Sequence, residues 1–114
     1  MSDTLATLQA KIESRKKASP DRSYVAYLHS IGLNKILEKI GEESTEVILA
    51  AKDVSPESGA QALIEETADL WFHSMIMLSH LGLSYEEVVE ALDSRMHQSG
   101  LMEKAARSKP HSSK

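Results

Sequence analysis

An all-α fold, a helical bundle of four to five helices, is predicted by three features of this sequence. Aromatic residues make up only 4% of it, so Leu, Ile, Ala, Met and Val must fill the core, which suits helix packing better than a β-sandwich. The apolar residues recur at helical rather than alternating spacing. The prolines, Pro20, Pro56 and Pro110, fall where helices should start or stop. A chain of 114 residues has room for one domain. That domain is assigned to residues 1–107, followed by a polar flexible tail at 108–114.

Leu5, Leu8 and Ile12 place a first helix near residues 3–17, which Pro20 and Asp21 interrupt. A short second helix, about 22–30, carries Tyr24, Tyr27 and Leu28 and ends at Gly32. The third helix, 33–52, has the clearest period. At about 100° per residue, Ile36, Ile40, Val47 and Ala51 fall within about 60° of one another. At Ser55-Pro56 the serine is read as an N-cap, with proline at the tolerated first position of a fourth helix that runs over 58–81. Leu63, Leu70, Trp71, Met77, Leu78 and Leu81 form its expected inner stripe, while Phe72, Met75 and Ile76 lie elsewhere around the cylinder. Apolarity on all sides predicts burial on more than one side, and with it a homodimer. Gly82 closes that helix. Ser84-Tyr85-Glu86-Glu87 opens another with a capping-box pattern, continued by Val88, Val89 and Leu92 to about residue 97. Gly100 breaks it, and 101–107 has room for one or two further turns.

Composition narrows the function classes. The sequence contains no cysteine, which excludes disulfides, thiolate metal sites and cysteine nucleophiles and fits a cytoplasmic protein. No apolar run approaches the roughly 20 residues of a membrane span, and the polar Met-Ser-Asp-Thr start lacks a signal-peptide pattern. A net charge of −4 argues against nucleic-acid binding. It leaves room for a phosphate ligand, because a divalent cation reverses the local field.

The chemistry lies in two short acidic patterns, Gly41-Glu42-Glu43-Ser44-Thr45-Glu46 on the third helix and Glu65-Glu66-Thr67-Ala68-Asp69 on the fourth. Residues three apart on a helix are surface neighbours, so Glu43 and Glu46 address one point, as do Glu66 and Asp69. Glu43 lies about 20° from Ile36, at the margin of the apolar stripe. Glu66, Asp69 and His73 form a polar strip beside Leu70 and Met77. If the two stripes face each other, four carboxylates converge at the seam, where anions must be protonated, paired or bound to cations. Magnesium or manganese is the natural partner for such oxygens. Taken singly, each acidic pair reads as a solvated face; two pairs beside apolar stripes on consecutive helices bring a metal site level with that reading. No Glu-x-x-His motif is present, which disfavours a di-iron centre.

Other residues carry less. His73, one turn beyond Asp69, is read first as a satisfied buried histidine and second as a substrate contact. His29, His80, His97 and His111 show no ligand-like spacing. Lys39, one turn before Glu43, pairs with a carboxylate by default or meets a phosphate. Arg95, Lys104 and Arg107 form a loose cationic set near the C-terminus. The methionines read as core or interface filler.

Lys39-Ile40-Gly41-Glu42-Glu43 with Glu46, followed by Glu66-Thr67-Ala68-Asp69, resembles the EExxE…ExxD signature of the all-α, MazG-like nucleotide pyrophosphohydrolases. Ser23 to Leu28 before Gly32, Lys35-Ile36, and Ser99-Gly100-Leu101 with Glu103-Lys104-Ala105 make it most similar to the phosphoribosyl-ATP pyrophosphohydrolase family. The resemblance covers about residues 5–107, with Ser44 where alanine is usual. It implies hydrolysis of phosphoribosyl-ATP to phosphoribosyl-AMP and pyrophosphate in histidine biosynthesis. It further implies magnesium, with manganese as a substitute, on Glu43, Glu46, Glu66 and Asp69. Glu42 would be an accessory acid, and Glu42 or Glu46 the proton acceptor. Lys39, Arg95, Lys104 and Arg107 become candidate phosphate contacts, and Ser23, Tyr24, Lys104 and Arg107 candidate contacts to the substrate's second ribose phosphate. The family is dimeric, and phosphoribosyl-AMP cyclohydrolase, fused to this domain in some relatives, is a candidate partner. The alternatives are a house-cleaning nucleoside triphosphate pyrophosphatase of the same fold and a non-catalytic helical dimerisation module with an acidic strip.

Overall fold

The computed structural model describes residues 3–97. Its elements are five helices: α1 (Thr4–Arg15), α2 (Tyr24–Ile31), α3 (Leu33–Lys52), α4 (Gln61–His80) and α5 (Tyr85–His97). Among the described residues there is no strand, only an isolated antiparallel bridge between Ser55 and Gly59. The all-α expectation holds. Helices α1 to α4 belong to one compact unit and α5 to another, with the boundary between Ser84 and Tyr85. The expected break at Gly100, the turns at 101–107 and the tail at 108–114 lie outside the described residues. No described helix is long and apolar enough to cross a membrane.

The most extensive packing is α3 against α4, two helices of 20 residues each, about 30 Å long. The short connection between them makes an αα-hairpin, and α1 and α2 pack onto it. Ile12, Val25, Ala26, Leu28, Ile36, Met75 and Ile76 are the buried apolar residues, so the core sits where α1, α2 and the start of α3 meet the second half of α4.

Two glycines set the course of the chain. Gly32 alone separates α2 from α3; its φ of 115° is open to glycine and strained for other residues. Its N–H bonds Leu28 O, and its carbonyl accepts from Ile36. Gly82, with φ 78°, ends α4 in a Schellman motif in which Gly82 N–H reaches Ser79 O and Leu83 N–H reaches Leu78 O.

Two expectations need correction. Ser55 does not cap α4. Its Oγ accepts from Ser58 N–H at 2.9 Å, the Ser58 hydroxyl donates to Asp53 O, and the helix begins only at Gln61. The serine's local bond competes with capping and holds a turn instead. The inner face of α4 also differs from the expected stripe: Met75 and Ile76 are buried, with His73 and Ser79, whereas Trp71 is 57% and Leu81 51% exposed. A helix apolar on all sides gives no preferred direction, so its pattern alone does not reveal which face turns inward. On α3, Ile36 is buried and Ile40 and Val47 are half-buried, as expected, but Ala51 is exposed.

Candidate metal centre

The acidic residues of α3 and α4 meet on the hairpin. Glu43 and Glu46 share a face of α3 because they are three residues apart, and Glu66 projects from the facing stretch of α4. Carboxylate oxygens of these three residues all lie within 4.8 Å of one another. Asp69 stands outside that set but close enough for its charge to act on Glu66.

Electrostatics at the cluster are unfavourable for bare carboxylates. The Glu66 pKa is raised above its ordinary value by desolvation first, then by the negative charges of Glu46, Glu43 and Asp69, and by a hydrogen bond with the Glu46 carboxyl group. Around Glu66 the neighbouring charges are those of other acids, and the Lys39 ammonium lies nearest to Glu42 and, at 4.0 Å, to Glu43. Glu43 makes the same point more sharply. Its side chain is 12% exposed, and its Oε1 is buried with no hydrogen-bond partner. A buried carboxylate oxygen without a partner costs free energy that a cation would recover. Three hard oxygen donors on two rigid helices suit a hard divalent ion, so the residues present fit magnesium or manganese.

Lys39 borders the cluster. Its Nζ lies 3.3 Å from Glu42 Oε1 and 4.0 Å from Glu43 Oε2. The Glu42 hydrogen bond is the main cause of its raised pKa, which keeps the ammonium charged. Pairing is therefore realised, and Glu42 is held at the edge of the cluster rather than among its converging oxygens.

His73 is buried and satisfied. Its Nδ1 lies 2.8 Å from the Asp69 carbonyl, an acceptor, so Nδ1 carries the proton and donates. Nε2 of that tautomer then accepts from the Tyr24 hydroxyl at 2.7 Å. Burial raises the Tyr24 pKa, which keeps its proton available for that bond. Tyr24 also stacks on Phe72 with ring centroids 6.3 Å apart. Ser23 is the buried N-cap of α2, its Oγ accepting from Ala26 N–H at 3.1 Å. That bond explains why serine stands there without reference to a ligand.

Arg95 is exposed in the last turn of α5. Lys104 and Arg107 lie outside the described residues. What sequence reasoning missed is the Tyr24–His73 contact, which joins residues 49 apart and so leaves no spacing signal.

With this geometry in place, the comparison with known families is specific. The family model described as phosphoribosyl-ATP pyrophosphohydrolase matches residues 5–96, a span that includes Glu42, Glu43, Glu46, Glu66 and Asp69.

Proposed function

The chain belongs to the phosphoribosyl-ATP pyrophosphohydrolase family, and from that premise we propose that it cleaves phosphoribosyl-ATP to phosphoribosyl-AMP and pyrophosphate with a magnesium ion held between α3 and α4. The family consists of hydrolases of phosphoanhydride bonds in histidine biosynthesis. The observation that carries the site is the convergence of Glu43, Glu46 and Glu66, together with a Glu43 oxygen that is buried without a partner.

Glu43, Glu46 and Glu66 would hold the ion, with Asp69 completing the set from one turn along α4. When bound, magnesium neutralises the triphosphate and lowers the pKa of an attacking water; manganese would substitute for it. Glu42, outside the converging oxygens and positioned by Lys39, is the carboxylate free to take the proton from water as it attacks the α-phosphorus. Glu46 is the alternative acceptor, but its oxygen belongs to the converging set. Lys39, charged and beside the cluster, is placed to meet a phosphate oxygen if it exchanges Glu42 for substrate. His73 and Tyr24 support the site's edge through their mutual bond. Arg95, Lys104 and Arg107 remain proposed phosphate contacts.

We also propose a homodimer, because Ile48, Leu49, Ile64 and Trp71 are each more than half exposed on the α3–α4 hairpin. The enzyme is proposed to work in the cytoplasm, with phosphoribosyl-AMP cyclohydrolase as a candidate partner.

Incubation with phosphoribosyl-ATP and magnesium, with pyrophosphate detection, tests the reaction. Release from phosphoribosyl-ATP in preference to a panel of nucleoside triphosphates is expected. Preference for noncanonical nucleotides would instead assign a house-cleaning role, and no magnesium-dependent release from any nucleotide would overturn catalysis.

A further inference from the structure

A second concave site lies within the unit formed by α1 to α4. It is a groove of about 170 Å³ between α1, the start of α2 and α4. Ile12, Val25 and Phe72 supply apolar wall, and Lys11, Arg15 and Tyr24 also line it. Sites that enclose a whole small molecule are usually about 300–1,000 Å³. This groove therefore suits one arm of a larger ligand.

Lys11 and Arg15 stand four residues apart on α1, hence on one face, where like charges repel. Among the described residues neither forms an ion pair, although Lys16, Lys35 and Lys39 all do. Two uncompensated cations on an otherwise largely apolar groove select for an anion, and the guanidinium fork matches phosphate oxygens in particular. Tyr24 links the groove to the acidic cluster. It lines the groove, stacks on Phe72 and bonds His73, whose ring bonds the Asp69 carbonyl. Phe72 follows Glu66 by six residues on the same helix, a rise of about 9 Å.

We propose that this groove is a phosphomonoester subsite, in which Lys11 and Arg15 bind the phosphate of the second ribosyl arm while its sugar packs against Phe72 and Ile12. The inference rests on the reaction proposed above and extends it: the acidic cluster serves any nucleoside triphosphate, and the groove selects the one with a phosphoribosyl arm.

The test uses the full chain and Arg15→Gln, Lys11→Gln and Arg15→Lys variants, with ribose 5-phosphate as the binding probe. In NMR titrations, ribose 5-phosphate should shift the Ile12 and Val25 signals of the wild type, and ribose should not. Each Gln variant should weaken that binding about tenfold or more, and raise KM for phosphoribosyl-ATP by a similar factor with kcat largely retained. Arg15→Lys should recover part of the loss. Manganese binding at the acidic cluster and the helical circular dichroism should match the wild type in all three. Unchanged KM in both Gln variants, or no shift of the groove signals by millimolar ribose 5-phosphate, would overturn the subsite. A wild type that binds ribose 5-phosphate in the groove yet releases no pyrophosphate from phosphoribosyl-ATP would keep the subsite and overturn the reaction.

Discussion

Glu13 and Glu66 carry the same side chain in opposite circumstances. Glu13 on α1 receives the Ser79 hydroxyl and the Lys16 ammonium at 3.2 Å, and its pKa is lowered, mainly by the Ser79 hydrogen bond. Glu66 on α4 meets Glu46, Glu43 and Asp69, and its pKa is raised. At Glu13 the fold supplies every partner that a carboxylate needs, and the acid ties α1 to the end of α4. At Glu66 the fold supplies more carboxylates and leaves Glu43 Oε1 buried without a partner. Exposed acids such as Glu46 and Asp69 are common and say little, so it is the buried, unpartnered Glu43 oxygen among them that favours a cation here.

Removing one acid from each region should break the comparison if it is wrong. Glu43→Gln keeps the side chain's shape and loses charge. Loss of a group behind a metal ligand already costs about 10–100-fold, so loss of the ligand should lower kcat/KM on phosphoribosyl-ATP by more than about a hundredfold. Asp69→Asn should cost less, because Asp69 stands outside the converging oxygens. Steady-state kinetics check both, with circular dichroism as the control for folding.

Next in size is the response to cation. Magnesium at about a hundred times its dissociation constant should stabilise the wild type by about 2.7 kcal/mol in urea unfolding. Glu43→Gln should lose most of that gain. Without metal it should be as stable as the wild type or more so, since it removes repulsion. Glu13→Gln should behave in the opposite manner, responding fully to magnesium but losing up to about 1 kcal/mol of stability, because its partnered carboxylate is half exposed.

The smallest effect is the pH dependence of the metal-free protein, and here the two regions should differ in sign. The folded pKa of Glu66 is raised above its ordinary value of 4.5, so its contribution is present below that value and is lost as pH rises through the higher folded value. The folded pKa of Glu13 is lowered, so its contribution is present above 4.5 and is lost as pH falls through the lower folded value. Unfolding curves across the acid range for Glu66→Gln and Glu13→Gln should diverge from the wild type in these opposite directions. Parallel curves would remove the electrostatic distinction.

Much of this was legible in the sequence, for physical reasons. Helix α3 matches its expected span of 33–52 because its apolar residues keep one face and Gly32 marks its start. Most of the acidic cluster was legible, because three-residue spacing puts Glu43 and Glu46 on one face of α3, but Asp69, expected to converge with them, stands outside the converging oxygens because the packing of α4 brings Glu66 nearer. The beginning of α4 was misplaced because the Ser55 hydroxyl serves its own turn. Its inward face was misread because apolar residues surround the helix. The Tyr24–His73 bond, the His29–His80 contact at 2.8 Å and the groove beside Arg15 all arise from residues distant in sequence, which only the packed fold brings together.

The most direct test of the claim that the α3–α4 acids form a cation site is manganese binding to wild type, Glu43→Gln and Glu13→Gln, followed by electron paramagnetic resonance. The account predicts saturable binding to wild type and Glu13→Gln, and its loss in Glu43→Gln with the helical fold intact. Equal binding by Glu43→Gln and wild type would contradict it.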